Sequence, residues 1–181
     1  MKGIIFTEFM GLVENAFSLE VLDRIVEEAE VPSGAVYTAV GTYDHRELVS
    51  LVVALSKETG VPVPDLVKTY GQHLLGRFVE HYPQFFEGET STLDFIEKVE
   101  GYIHGEVTKL YPEARTPKLH CERHESGRMS VTYESCRGLA DAAEGLILGT
   151  AAHFGEDLAL SREDLSEGRG QKVRFGLELR T

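Results

Sequence analysis

At 181 residues, 42% apolar and 27% charged, the chain is long enough to bury one sizeable core and has the composition of an ordinary globular domain. Its 18 lysines and arginines against 30 aspartates and glutamates give a formal charge of -12, which excludes a general nucleic-acid binder because that needs a basic footprint. Cys121 and Cys136 are too few for a disulfide scaffold, no apolar run reaches the roughly 18 residues of a membrane span, and Thr7, Glu8 and Glu14 break the opening stretch where a secretory leader stays apolar, so a cytoplasmic protein is expected.

Helical spacing dominates the first part of the chain. "KGIIFTEFMGLVENAF" places Ile5, Phe9, Leu12 and Phe17 near one face of a first helix. Ser18 is positioned to cap a second, "LEVLDRIVEEAE". Gly34 and Gly41 bracket a connection containing "AVYTAV". Asp44 and Glu47 form a capping-box-like pair ahead of "LVSLVVALSKETG", which Gly60 stops. A fourth helix, "VPVPDLVKTYGQHLLGRFVEHYP", carries Pro64 in its first turn and ends at Pro83. Thr90 and Ser91 are placed to cap a fifth, "TLDFIEKVEGYIHGEVTKLYP", which Pro112 terminates.

Beyond Pro112 the period shortens to two. "PKLHCERHESGRMSVTYES" reads as a hairpin turning at Ser126-Gly127, a register that sets Cys121 opposite Thr132 and keeps it away from Cys136. "GLADAAEGLILGTAAHFG" is a further helix closed by Gly155. "EDLALSRED" and "QKVRFGLELR" are two more strands, joined by "SEGRG". The expected class is α+β: a helical N-terminal part, then a small antiparallel sheet with an inserted helix.

Two features carry chemistry. Tyr133, Ser135 and Arg137 are spaced by two, so on an extended chain they share a face. The plain reading is a solvated strand face. The sharper one is an anion clamp, in which a planar guanidinium and two hydroxyls receive a ligand with neighbouring carboxylates. The second feature is His104, which borders the apolar stripe of Ile96, Val99, Ile103, Val107 and Leu110. Its plain reading is a satisfied boundary residue. One histidine does not make a zinc site, but it suffices as the protein ligand of an iron porphyrin, whose ring supplies four nitrogens and whose propionates suit the clamp. Gly101 and Gly105, beside His104, leave room for a flat ring. Spacing alone leaves both readings open.

The motifs in order decide between them. "MKGIIF", "GAVYTAVGTYDHREL", "YPQFFEGETSTLDFI", "IHGEVTKLYPEA", the Y-x-S-x-R signature at Tyr133, Ser135 and Arg137, and "AEGLILGTAAHFGE" span nearly the whole chain. They resemble the heme–nitric oxide/oxygen binding (H-NOX) family, the heme domain related to that of soluble guanylate cyclase. The resemblance implies one domain over 1–181, with a helical subdomain over about 1–60 and a heme-binding helix and sheet over about 61–181. It implies heme b, with His104 as axial iron ligand and Tyr133, Ser135 and Arg137 holding the propionates. Ile5, Phe9, Leu74, Phe78 and Leu146 match pocket-lining positions, and Pro117 matches a proline that presses on the ring. Gly105 departs from the bulkier residue that many members carry after the ligand. Cys136 lies inside the signature, yet the two cysteines do not make a multi-cysteine zinc site.

Oxygen-binding relatives place a tyrosine where this chain has Ala142, so the resemblance implies a nitric oxide sensor that excludes oxygen, with carbon monoxide as a further ligand. Loss of the iron–His104 bond would release the helix around 92–111. The output would pass to a separate protein, in bacterial relatives a histidine kinase or a diguanylate cyclase. Other classes remain as alternatives: a cysteine or heme redox sensor, an oxygen-binding heme protein, and a helical module for a non-heme carboxylate. An enzyme is not expected, because no nucleophile–base pair or nucleotide loop stands out.

Overall fold

The computed structural model describes residues 1–124 and 127–180. The chain divides into two compact units, Met1–Tyr70 and Gly71–Thr181.

The first unit holds helices α1 (Gly3–Ala16), α2 (Leu19–Ala29) and α3 (His45–Thr59), and the start of α4 (Val63–His81). Ser18 caps α2 as its position suggests, its hydroxyl accepting from the Val21 N–H at 3.3 Å. Gly60 ends α3 at a φ of +74°, a left-handed conformation natural to glycine. The capping box before α3 is only half formed. Asp44 accepts from the Arg46 N–H at 2.9 Å. Glu47 turns inward, is 8% exposed, and accepts from the hydroxyls of Ser33 and Tyr37. A buried carboxylate needs donors, and those two hydroxyls satisfy it. Burial pushes the Tyr37 hydroxyl up to about 12.

The buried face of α1 also differs from the expected one. Gly3, Phe6, Phe9 and Val13 are buried, Ile5 and Leu12 are half-buried, and Phe17 is exposed. Ile4, Ile5, Phe6, Phe9, Met10, Leu12 and Val13 give this helix apolar groups on most of its circumference. Periodicity therefore admits two faces, and packing selects the one on which Phe6 stacks on Tyr37 with ring centroids 4.5 Å apart.

The second unit carries the rest of α4, then α5 (Thr92–Lys98), a π-helical turn (Val99–Ile103), α6 (His104–Leu110), strands β1 (Lys118–Arg123) and β2 (Arg128–Glu134), α7 (Ala140–Phe154), and strands β3 (Asp157–Asp164) and β4 (Lys172–Arg180). The sheet is antiparallel with order β1-β2-β4-β3. Alternation puts Met129, Val131 and Tyr133 of β2 beside Leu177, Phe175 and Val173 of β4 on one face. That face joins Leu93 and Ile96 of α5 and Ile147 of α7 in a single core. Gly71 of α4 lets two helices meet at backbone distance: a Cβ there would lie 2.4 Å from the Ala142 carbonyl oxygen on α7.

The hairpin register is one residue from expectation. Cys121 pairs with Val131, not Thr132, and the ladder runs from Arg123–Met129 to Lys118–Glu134. β1 ends at Arg123 and β2 begins at Arg128, and Gly127, just before β2, has a φ of +82°. The expected turn residue Ser126 lies outside the described residues. Cys136 falls past the end of the ladder, so both thiols are free, as expected. Burial, with the charges of Glu97 and Glu100, pushes the Cys121 thiol up to about 11. An alkylating reagent at neutral pH is therefore expected to label exposed Cys136 well before Cys121. A Cys121–Cys136 link in the mass spectrum of unreduced protein would contradict this register.

Candidate functional site

His104 is the first residue of α6, and the turn before it is one residue wider than an α-turn. Its N–H bonds to the Val99 carbonyl five residues back. The segment expected as one helix is thus α5, a π turn and α6 in sequence. The cap at its start also differs: Ser91 gives no side-chain bond, and the Glu156 carboxylate accepts from the Thr92 N–H at 2.7 Å instead. A charged acceptor suits the positive end of a helix.

The His104 side chain is 17% exposed, with Nδ1 2.9 Å from Oε2 of Glu100. The same oxygen accepts from the Leu119 N–H of β1 at 3.1 Å. Against an ionised carboxylate Nδ1 carries the proton, so Nε2 keeps the lone pair that binds a metal. Glu100 was not singled out from sequence, although its four-residue spacing from His104 is the available signal. A Cβ added at Gly101 or Gly105 would meet nothing within 4 Å. Among the described residues no three His, Cys, Asp or Glu side chains gather to hold a metal ion. A metal at His104 therefore needs a cofactor to bring its other ligands.

Tyr133, Ser135 and Arg137 come together, but not along a strand. β2 ends at Glu134, and the chain turns through residues 136 and 137. The Arg137 N–H donates to the Ser135 hydroxyl at 3.3 Å, and the Arg137 guanidinium donates to the Arg115 carbonyl. Gly138 follows with a φ of +64°, where a Cβ would lie 2.7 Å from the Arg169 carbonyl oxygen. Only glycine fits that approach and that dihedral. Tyr133 is 3% exposed and packs in the core of the second unit, so it does not lie on a solvated face, whereas Ser135 and Arg137 are half-buried. Burial raises its pKa, while the Ser135 hydroxyl, the Leu139 backbone and the Arg137 charge pull it back. Two hydroxyls and a guanidinium, of whose five N–H groups one meets Arg115, make a cationic donor set suited to carboxylates.

The apolar positions fall on several elements. In the second unit, Leu74 is buried and Phe78 half-buried on α4, Leu146 and Ala142 are half-buried on α7, and half-buried Pro117 precedes β1. In the first unit, Ile5 is half-buried and Phe9 is 1% exposed on α1. Ala142 presents a methyl group, so its side chain offers no hydrogen-bond donor. No described helix is long and apolar enough to cross a membrane.

A family model described as Haem-NO-binding matches residues 2–162. The chain is similar to the Fe(II) unliganded H-NOX protein from K. algicida, with 34% identity and a TM-score of 0.94, over 100% of this chain and 97% of that one. It is also similar to the IWP-051-bound H-NOX from Shewanella woodyi in the Fe(II)CO state, with 39% identity and a TM-score of 0.84, over 98% and 94% of the two chains. A third relative is the H-NOX protein from S. oneidensis in the Fe(II)NO state, with 26% identity, a TM-score of 0.92 and full coverage of both chains. None of the curated proteins matches.

Proposed function

The chain belongs to the Haem-NO-binding (H-NOX) family, and from that premise we propose that it is a cytoplasmic nitric oxide sensor built on heme b, signalling to a separate protein through release of His104. The observation that carries the reading is the His104 imidazole, with Nδ1 held by Glu100 and open space at Gly101 and Gly105 beside it. The donor set fits the cofactor: Nε2 of His104 for the iron, and Tyr133, Ser135 and Arg137 for the propionates. Within the second unit, Leu74, Phe78, Pro117 and Leu146 would supply the apolar lining.

Heme, held by His104 and by Tyr133, Ser135 and Arg137, would supply an iron that binds a diatomic gas. The chain's own residues do the rest. Ala142 and Leu74 offer the gas no hydrogen-bond donor, so oxygen gains no help while nitric oxide needs none; carbon monoxide is a further ligand. His104 sits at the junction of a π turn and an α-helix, and the helical segment around 92–111 that carries it is the two-state element. Its release reaches the partner, a histidine kinase or a diguanylate cyclase. The H-NOX proteins it resembles are sensor domains, and the chain is read as a sensor without catalysis.

Absorption spectra test this reading. The ferrous protein is expected to take up nitric oxide and carbon monoxide, to lose the histidine-ligated spectrum with nitric oxide, and to form no stable complex in air. A stable oxygen-bound spectrum overturns the selectivity. Retention of the histidine after nitric oxide binding overturns the trigger.

Arg137→Ala is expected to lower heme occupancy more than Ser135→Ala. A charged donor contributes about 1.5–3 kcal/mol against about 0.5–1.5 for a neutral one. Pyridine hemochrome content of the purified variants measures this, and equal occupancy in all three proteins removes the clamp.

A further inference from the structure

We infer that Glu100 is the positioning residue of this site: one carboxylate oxygen orients the His104 ring and ties it to the start of β1. The inference rests on His104 being the iron ligand, and it adds what sets that ligand's direction. Imidazole turns about two side-chain bonds, so the direction of its Nε2 lone pair is fixed only when the other nitrogen is held. Glu100 stands four residues before His104 and brings Oε2 to 2.9 Å from Nδ1.

The same atom is 3.1 Å from the Leu119 N–H, and a carboxylate oxygen has lone pairs for both donors. The Leu119 bond pins the carboxylate to the sheet, two residues from Pro117, so ring and strand share one acceptor. The Glu100 side chain is 39% exposed, yet both donors converge on a single oxygen. A negative acceptor also draws on the Nδ1 proton and makes Nε2 a stronger donor. Glutamine keeps an acceptor oxygen and removes the charge; alanine removes both bonds.

The test is resonance Raman spectroscopy of the gas-free ferrous holoprotein, with amide hydrogen exchange at Leu119 as a second readout. The iron–histidine stretching band is expected at lower frequency in Glu100→Gln and lower still in Glu100→Ala. Leu119 exchange is expected to accelerate in Glu100→Ala and to change little in Glu100→Gln. A wild-type band in Glu100→Ala overturns the inference and leaves the heme reading standing. If Glu100→Ala cannot retain heme, Glu100→Gln decides, and an unshifted band there overturns it. A wild-type protein that holds heme but has no iron–histidine band overturns both the ligand assignment and the inference.

Discussion

Replacing His104 by glycine is expected to abolish the histidine-ligated ferrous spectrum while leaving the fold in place. The side chain is 17% exposed and lies at the first position of α6, outside the hydrophobic core of the second unit. Glycine in a helix costs about 1 kcal/mol, a small share of the about 5–15 kcal/mol that holds a domain together. What disappears is the fixed nitrogen donor. The substitution opens a space shaped like imidazole, and Glu100 remains to accept its N–H. Added imidazole is therefore expected to restore the wild-type spectrum, but without a covalent link to α6. Nitric oxide should then expel the imidazole without moving the helix. An unchanged spectrum in the variant without imidazole would return His104 to an ordinary boundary residue.

The largest stability effect is expected elsewhere, at Phe175. This residue is 0% exposed on β4, opposite Val131 of β2, and both belong to the core facing α5 and α7. Sheet and helices meet around its ring. Phe175→Ala removes most of a buried aromatic and leaves a cavity that strands bonded on both sides cannot collapse to fill. The expected loss is about 3–5 kcal/mol. For a chain of this size that lowers Tm by roughly 6–20 °C. Urea unfolding followed by far-ultraviolet circular dichroism measures it. A loss below about 1 kcal/mol would mean that the site is not packed as described.

How much of this was legible in the sequence differs from element to element. Ser18, Gly60 and Gly155 marked helix ends because their chemistry is local: a hydroxyl reaches the first turn, and glycine accepts a positive φ. Strands β2 and β4 were legible because each buries one face. The π turn was not, because one extra residue before His104 leaves the apolar spacing nearly intact. The hairpin register was missed because a one-residue shift leaves Gly127 in the connection and the apolar alternation of β2 unchanged. Glu47 reads as half of a capping box and Glu100 does not stand out at all, because their partners lie elsewhere in the chain, Ser33 and Tyr37 for one and Leu119 for the other. Tyr133, Ser135 and Arg137 were found by a spacing argument that does not describe them. They converge through a turn that Gly138 makes feasible, and the family motif located the cluster where strand geometry did not.

The Glu156 carboxylate on the Thr92 N–H has a mechanical consequence. At about 1.5 Å per residue, His104 lies roughly 18 Å and Leu110 roughly 27 Å from that clamp. If the segment moved as one piece about that clamp, a displacement at His104 would be magnified about 1.5-fold at the tip, where Leu110 is 71% exposed. Glu156 lies between Gly155, which caps α7, and Asp157, which starts β3, so such a lever would have its fulcrum on the stretch of chain that leads into the sheet's outer strand.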